Sequence, residues 1–151
     1  MPAGETLLLD TSVLIAYLDR EDTVHAVARA VIEGLVRSGR NPALISMLSV
    51  TEILVGPARS GDHDLYAEIV EFLTQLPGLR LGEVGFAIAE RAAILRARYR
   101  LRAVDAVIVA TGLSAGVGRI VSNDHEWSAR LPPSVLPATV VMLDDHLPLS
   151  A

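Results

Sequence analysis

The chain has 151 residues, the length of one domain, and its 13 basic residues, all arginine, face 18 acidic residues for a formal net charge of -5. Cysteine is absent, which excludes a disulfide scaffold, a cysteine-ligated zinc site and a cysteine nucleophile. The 51% hydrophobic content excludes a disordered chain, and the negative net charge disfavours a histone-like nucleic-acid binder.

Short apolar runs and helix caps alternate along the whole chain. In chain order they predict a strand at 6–10, a helix at 13–18, a helix from about 22 that ends at 38, a strand at 43–45, helices beginning at 49 and 62, a strand at 79–81, helices at 87–99 and 101–113, a strand at 119–121, a helix cap at 122–124, a loop at 131–137, a strand at 139–143 and a loose tail at 144–151. The helix beginning at 49 follows from the Ser-x-x-Glu capping-box pattern of Ser49 and Glu52.

This alternation of short strands with helices is typical of an α/β protein. It indicates a single domain over residues 1–151, with its core at about 5–145. The sheet is predicted to be mostly parallel, with about five short strands, and to be covered by helices on both faces.

The sequence also bears on membranes and targeting. No apolar run approaches the roughly 20 residues that a membrane-spanning helix needs. Residues 1–5 carry neither the basic stretch nor the long apolar core of a signal peptide. We therefore expect a cytoplasmic protein that does not enter a membrane.

Four acidic residues occur in otherwise apolar surroundings. Asp10 and Asp124 follow the first and fourth predicted strands, so both are expected at the carboxyl edge of the sheet, where open parallel sheets bind ligands. Glu52 and Asp105 lie in apolar helical segments. A buried carboxylate is costly unless something compensates its charge, and Mg²⁺ or Mn²⁺, which prefer oxygen ligands, is one such compensation.

Each of these carboxylates also has a structural interpretation. Asp10 and Asp124 suit helix N-caps, and Glu52 suits the capping box. Asp105 suits a first helical turn, where the helix dipole favours an acid, or an ion pair with Arg102 three residues before it. From the residues alone, structural roles and a shared metal site stay open at about equal weight.

Four segments around these acids resemble PIN domains, and in particular the VapC-type toxins of bacterial type II toxin–antitoxin pairs. The segments, which occur in the family order, are residues 8–15, 48–54, 101–111 and 120–127. The resemblance spans residues 7–143, nearly the whole chain. One such motif would be weak evidence, whereas four in order are strong.

The resemblance implies a three-layer α/β/α sandwich and an Mg²⁺- or Mn²⁺-dependent endoribonuclease that hydrolyses RNA phosphodiester bonds with a metal-activated water. It implies direct metal ligation by Asp10 and Asp105, with Glu52 and Asp124 completing the pocket directly or through water. Supporting roles are implied for the polar neighbours of these acids, which are Thr11, Ser12, Ser122, Asn123 and Arg102.

Two positions depart from the family pattern. The fourth motif usually begins with threonine, where this chain has Ser122, and its aromatic is commonly phenylalanine, where this chain has Trp127. Serine retains the hydroxyl and tryptophan retains the apolar character, so neither difference affects the four acids.

Five of the 13 arginines fall between residues 91 and 102. An acidic pocket repels RNA, so a nuclease with this net charge needs a local basic surface or metal ions. We therefore expect Arg96, Arg98 and Arg100 to bind RNA, with a solvated helix face as the alternative. Arg102, inside the third motif, is expected to orient Asp105 or to meet a phosphate.

The resemblance further implies two protein partners, a cognate VapB-like antitoxin that covers the acidic pocket and a second copy in a homodimer. Residues 13–18 and 53–55 are apolar candidates for either surface, with burial in the core as the alternative.

Two other functions are considered. One is a PIN-like nuclease in RNA maturation or flap processing, and the other is a non-catalytic α/β module such as a receiver, whose late-strand lysine this chain lacks.

Overall fold

The structure, a computed structural model, describes residues 1–135 and 137–146. Its strands are β1 (Leu7–Leu9), β2 (Ala43–Ser46), β3 (Leu79–Gly82), β4 (Arg119–Ser122), β5 (Ser134–Val135) and β6 (Ala138–Met142). Its α-helices are α1 (Thr11–Leu18), α2 (His25–Val31), α3 (Met47–Ser60), α4 (His63–Gln75), α5 (Phe86–Tyr99), α6 (Ala103–Ser114) and α7 (His125–Arg130). A π-helical segment, Ile32–Arg37, continues α2. No helix in the described part of the chain is long and apolar enough to cross a membrane.

One six-stranded sheet, in the order β3-β2-β1-β4-β6-β5, forms the middle of the fold. β1 is flanked by parallel β2 and β4, and parallel β3 and β6 extend the sheet on either side. The sheet is mostly parallel as predicted, but it has six strands rather than about five. The additional strand is β5, which pairs antiparallel with β6 within the segment predicted as a loop at 131–137.

Helices cover both faces of this sheet, which confirms the three-layer α/β/α arrangement. Leu7 and Leu9 of β1 belong to the core shared with α1–α4, whereas Leu8 belongs to the core shared with α5–α7. Successive strand side chains point to opposite faces, so a strand between two helical layers is apolar at every position. This explains why the run of three leucines is fully buried.

Three predicted boundaries are corrected by the structure. α3 begins at Met47 rather than 49, because the hydroxyl of Ser46 accepts a hydrogen bond from the Leu48 N–H at 3.3 Å and caps the helix. Ser49 is therefore buried inside α3, and the capping-box interpretation of Glu52 is wrong.

The other two boundaries are helix starts. α2 begins at residue 25 rather than near 22, and the helix predicted at 101–113 begins at 103. Of the predicted tail, residues 144–146 form a 3₁₀ turn, and residues 147–151 lie outside the described residues.

A close contact between α6 and β1 helps to place Asp105. A Cβ at Gly112 would lie 2.6 Å from Cδ2 of Leu8, so glycine is needed for the helix to approach the central strand this closely. Asp105 lies two turns earlier in α6, in the first turn of the helix. The close packing therefore brings the start of α6 to the edge of the sheet at which β1 ends.

Candidate active site

Asp10 is the first residue after β1, and hydrogen bonds fix its position. Its N–H donates to the carbonyl of Val121 on β4 at 2.9 Å. Its Oδ1 accepts from the Thr11 N–H at 2.8 Å and so caps α1. Its Oδ2 accepts from the hydroxyls of Ser12 and Ser122, each at 2.7 Å. Three donors therefore hold a carboxylate that is only 4% exposed.

Thr11 connects Asp10 to a second carboxylate on another helix. While its N–H donates to Asp10, its hydroxyl donates to Oε2 of Glu52 at 2.6 Å. Glu52 lies in the second turn of α3 and is half-buried. One threonine thus links the end of β1 to the second turn of α3.

Asp124 is held at the neighbouring strand end. Its side chain caps α7, and its N–H donates to the Ser122 hydroxyl at 3.0 Å. The N–H of Asn123 donates to the hydroxyl of Ser12 at 2.8 Å. The hydroxyl of Ser122 therefore links the backbone of Asp124 to the carboxylate of Asp10. Serine thus makes these hydrogen bonds at the position where the family usually has threonine.

Arg102 joins Asp105, the last of the four acids, to Asp124. Its Nε and Nη2 donate to Oδ2 and Oδ1 of Asp105 at 2.8 and 3.3 Å, and Nη2 also donates to Oδ2 of Asp124 at 3.3 Å. Hydrogen bonding to Asp105, and its charge, raise the pKa of Arg102. Asp105 is 5% exposed, whereas the Arg102 side chain is 58% exposed. The predicted pair of Arg102 with Asp105 is present, and it extends to Asp124.

These side chains surround a single cavity of about 340 Å³, which we call the acidic cavity. It is lined by Asp10, Thr11, Ser12, Ile15, Glu52, Val55, Arg102, Asp105 and Asp124. The structure thus brings all four predicted acids together, while Ser122 and Asn123 stand behind them as hydrogen-bond partners. A larger cavity of about 590 Å³ near Tyr17 has no acidic side chain in its lining, so charge rather than size identifies the candidate site.

Asp10 is the acid of the cavity whose negative charge is costly, because no basic side chain that the structure describes donates to its carboxylate. Burial raises the pKa of Asp10 from 3.8 to about 6, and the charge of Asp105 acts in the same direction. Hydrogen bonds from Ser12, Ser122 and Thr11 lower it without cancelling the effect of burial. A cation in the cavity would offset this cost.

The donor set fits a hard divalent cation with few direct protein ligands. A carboxylate offers about four lone-pair sites, and hydrogen bonds already use three of those of Asp10, so about one is left for a cation. Across residues 1–135 and 137–146, no three acidic or histidine side chains stand close enough together to hold one ion. Mg²⁺ commonly takes one or two carboxylates and keeps several waters. The residues therefore fit Mg²⁺ in that form, rather than as a cage of four carboxylates.

A second cavity, of about 450 Å³, lies near the acidic one, and we call it the basic cleft. It is lined by Arg98, Tyr99, Arg100, Ala129 and Arg130. Nη1 of Arg130 donates to the carbonyl of Arg100, and the Arg98 guanidinium lies 5.4 Å from the ring centroid of Tyr99. Only one residue separates Arg100 from Arg102, and Arg130 follows Asp124 by six residues, about 9 Å along a helix. Two chain segments therefore run directly from one cavity to the other.

Two of the three arginines predicted to bind RNA line this cleft. Arg98 and Arg100 do, whereas Nε of Arg96 donates to the carbonyl of Leu101 and its side chain lies outside the lining. Arg130 is the residue that sequence reasoning missed. No local pattern connects it to Arg100, 30 residues earlier, and only the docking of α7 brings them together.

The two apolar segments considered as partner surfaces are mostly core. The buried members are Val13, Leu14, Ala16 and Ile53. Ile15 and Val55 are 46% and 47% exposed, and both line the acidic cavity. The part of these two segments best placed to contact a partner is therefore the exposed apolar pair at the acidic cavity.

Comparisons with known proteins agree with this architecture. The model of the PIN domain family matches residues 7–130, whereas no protein with a curated description matches the chain. VapBC2 from Rickettsia felis, bound to a DNA fragment from its promoter, is similar with 12% identity over 91% of this chain and 98% of that one, at a TM-score of 0.69. A toxin–antitoxin complex from Klebsiella pneumoniae matches at 22% identity, 88% and 98% coverage and a TM-score of 0.61. VapC20 from Mycobacterium tuberculosis, a sarcin–ricin loop cleaving toxin, matches at 21% identity, 82% and 93% coverage and a TM-score of 0.65.

Proposed function

The chain belongs to the PIN domain family, and from that premise we propose that it is a metal-dependent endoribonuclease, the toxin of a type II toxin–antitoxin pair. The single observation that carries the proposal is the acidic cavity, in which four carboxylates from β1, α3, α6 and the start of α7 line one space of about 340 Å³. Helix capping accounts for the positions of Asp10 and Asp124, but not for the convergence of all four.

We assign the cation site, for Mg²⁺ or Mn²⁺, to Asp10 and Asp105, the two most buried acids of the cavity. When bound, the ion would polarise the RNA phosphodiester and lower the pKa of a water molecule. Glu52, fixed by Thr11, and Asp124, fixed by the start of α7, would hold and orient water on either side of that site. Ser12 and Ser122 would keep the Asp10 carboxylate in place.

The basic cleft supports RNA as the substrate. The net charge of -5 opposes the binding of RNA, but the three arginines of this cleft provide a local positive surface for phosphates beside the acidic cavity. Arg100 ends α5 with a φ of 55°, and it is the only non-glycine residue with a positive φ among those described. Helices usually place glycine in this conformation. We therefore assign RNA phosphate binding to Arg98, Arg100 and Arg130, with Arg96 on the exposed helix face beside them.

The toxin assignment rests on the relatives and on the mouth of the site. Similar solved structures include VapBC complexes and a toxin–antitoxin complex. Ile15 and Val55 are exposed at the acidic cavity, so an antitoxin segment with apolar side chains would cover the site by contact with both. We further propose that the protein acts in the cytoplasm and forms a homodimer.

Cleavage assays with a charge-neutral variant test the proposal. Asp105→Asn keeps the shape of the side chain but weakens cation binding, so we expect RNA cleavage in Mg²⁺ to fall by roughly 100-fold or more. Asp64→Asn, in the exposed first turn of α4, removes the same charge away from the cavity and is expected to leave cleavage unchanged. Growth arrest on expression should follow the same order.

Full cleavage activity in Asp105→Asn would overturn the nuclease assignment. Cleavage without growth arrest, and without neutralisation by the product of a neighbouring short gene, would overturn the toxin assignment alone. Thermal unfolding of each variant establishes that any loss of activity occurs in a folded protein.

A further inference from the structure

Arg102 places a positive charge inside the acidic cavity. Its guanidinium makes two hydrogen bonds to Asp105 and one to Asp124, and Nη2 is shared between Oδ1 of Asp105 and Oδ2 of Asp124 at 3.3 Å from each. Nε also lies 3.8 Å from a carboxylate oxygen of Glu126. The guanidinium therefore stands between two of the acids to which the proposed function assigns the metal and its water.

This position conflicts with a divalent cation at the same carboxylates. An ion shared by Asp105 and Asp124 would need the space that Nη2 occupies. An ion held by Asp10 and Asp105 would lie close to the positive charge of Arg102, which opposes its binding. Both arrangements are favoured when Arg102 moves away from Asp105.

Arg102 is free to make that movement. Its side chain is 58% exposed, and its backbone is the N-cap of α6, with no capping hydrogen bond between the side chain and the helix backbone. The pairs that it forms with Asp124 and Glu126 lie at the exposed side of the cavity. Exposed ion pairs of this kind contribute little stability, so the main obstacle to release is the pair with the buried Asp105, whose charge a bound cation would offset in turn.

We propose that Arg102 is a built-in counter-ion that competes with the divalent cation for Asp105 and Asp124 and thereby sets the metal affinity of the site. The proposal rests on the proposed function, because it takes the acidic cavity as the metal site. In the metal-free protein Arg102 neutralises the buried Asp105. On metal binding it leaves the carboxylates. Because of this competition, metal occupancy, and with it nuclease activity, follows the concentration of free divalent cation.

Calorimetric titration with Mn²⁺ in the absence of RNA tests this proposal on the full chain. Replacing the competing charge, in Arg102→Gln, is expected to tighten Mn²⁺ binding by roughly threefold to tenfold, the range for loss of a partly exposed ion pair. Arg102→Lys keeps the charge but cannot make the paired guanidinium hydrogen bonds to Asp105, so its Mn²⁺ affinity is expected to lie between those of the wild type and Arg102→Gln. Arg59→Gln removes one exposed arginine charge from the last turn of α3 and serves as the matched control, with affinity within twofold of the wild type.

Thermal unfolding gives a second readout that does not depend on activity. Without metal, Arg102→Gln leaves Asp105 buried and unpaired, so we expect its melting temperature to fall below that of the wild type. Saturating Mn²⁺ should raise the melting temperature of Arg102→Gln by more than it raises that of the wild type. A purely structural role for Arg102 predicts weaker Mn²⁺ binding in the variant, which is the opposite sign.

The outcomes separate this inference from the proposed function. Equal or weaker Mn²⁺ binding by a folded Arg102→Gln, beside measurable binding by the wild type, overturns the counter-ion role and leaves the nuclease proposal standing. No Mn²⁺ binding by the wild type or by Arg102→Gln overturns the metal site itself, and both proposals with it.

Discussion

The acidic cavity and the basic cleft are neighbours, yet they are built in different ways. In the acidic cavity, the carboxylate of Asp10 is 4% exposed and accepts three hydrogen bonds from two strand ends. In the basic cleft, Arg98, Arg100 and Arg130 are exposed, and the guanidinium of Arg130 rests on a backbone carbonyl. One region is fixed by a buried hydrogen-bond network, and the other is a surface of exposed arginines near helix ends.

Each region also retains one feature that costs stability. In the acidic cavity it is a buried carboxylate whose pKa is raised to about 6. In the basic cleft it is a left-handed arginine at the end of a helix, where glycine is usual. Unfavourable features that the surrounding structure enforces cluster at functional sites. The strain is electrostatic in the acidic cavity and conformational in the basic cleft, so different substitutions relieve it.

Relief of the electrostatic strain at Asp10 should change stability the most. Because the folded protein holds the Asp10 proton up to about pH 6, against 3.8 ordinarily, it binds more protons than the unfolded chain between these values. The contribution of Asp10 to the free energy of unfolding therefore falls as pH rises from about 4 to 6, by roughly 3 kcal/mol in total. Urea unfolding followed by circular dichroism in EDTA should show this fall in the wild type and a flatter pH profile in Asp10→Asn.

Asp64→Asn provides the control for that pH profile, since it removes an exposed carboxylate in α4. Its profile is expected to parallel that of the wild type. Parallel profiles for the wild type and Asp10→Asn would contradict electrostatic strain at Asp10. Added Mg²⁺ should reduce the difference between the two proteins at pH 7, because a cation offsets the ionised carboxylate.

A smaller effect is expected from the network that holds Asp10. Ser122→Ala removes a hydroxyl that donates to Asp10 and accepts from the N–H of Asp124, and both groups are then left short of a partner. We expect the free energy of unfolding to fall by about 1–3 kcal/mol. The acid limb of the pH profile for RNA cleavage should also move to higher pH, because the lost donor had lowered the pKa of Asp10.

Ser122→Thr is the matched variant, because it restores a hydroxyl at the same Cβ. Its pH profile for cleavage should overlap with that of the wild type. If Ser122→Ala unfolds at the same urea concentration as the wild type and cleaves RNA with the same pH profile, the buried network does not control Asp10.

The smallest effect, and the one with two signs, is expected in the basic cleft. Arg100→Gly removes the left-handed strain, so the protein should become more stable by up to about 1 kcal/mol. The same change removes a phosphate contact, so RNA affinity should fall and its dependence on salt should become shallower by about one unit of slope. Urea unfolding and filter binding at several salt concentrations measure the two effects.

Arg59→Gln, at the far end of α3, is expected to change neither quantity appreciably. Unchanged RNA affinity and salt slope in Arg100→Gly would mean that the cleft does not bind RNA. A loss of stability in Arg100→Gly would mean that contacts of the Arg100 side chain stabilise the fold by more than its left-handed backbone costs.

Much of the acidic cavity could be predicted from the sequence, because strand ends can be recognised locally. Asp10 follows a run of three leucines, and parallel strands bring their carboxyl ends to one edge. The relation of Glu52 and Asp105 to that edge came from the family resemblance. Their helical surroundings show that they are unusual, but not that they meet.

The features that the sequence did not predict depend on contacts between distant segments. Ser46 both ends β2 and caps α3, so the helix begins before the capping-box pattern at Ser49 and the boundary predicted from that pattern is wrong. β5 has only two residues and exists through its pairing with β6, which no local pattern encodes. The basic cleft needs Arg130 from α7 beside Arg100 from the end of α5, and this follows from packing alone.

The position of Trp127 gives the molecule an optical reporter. It is the only tryptophan of the chain, lies three residues after Asp124 in α7, and is 1% exposed among the side chains shared by α5–α7. An indole in such apolar surroundings emits at shorter wavelength than one in water, so its emission shifts whenever α7 leaves the core, whether α7 detaches alone or the whole chain unfolds. The helix that carries one acid and one cleft arginine can therefore be observed by its own fluorescence, without a label, while metal or RNA is added.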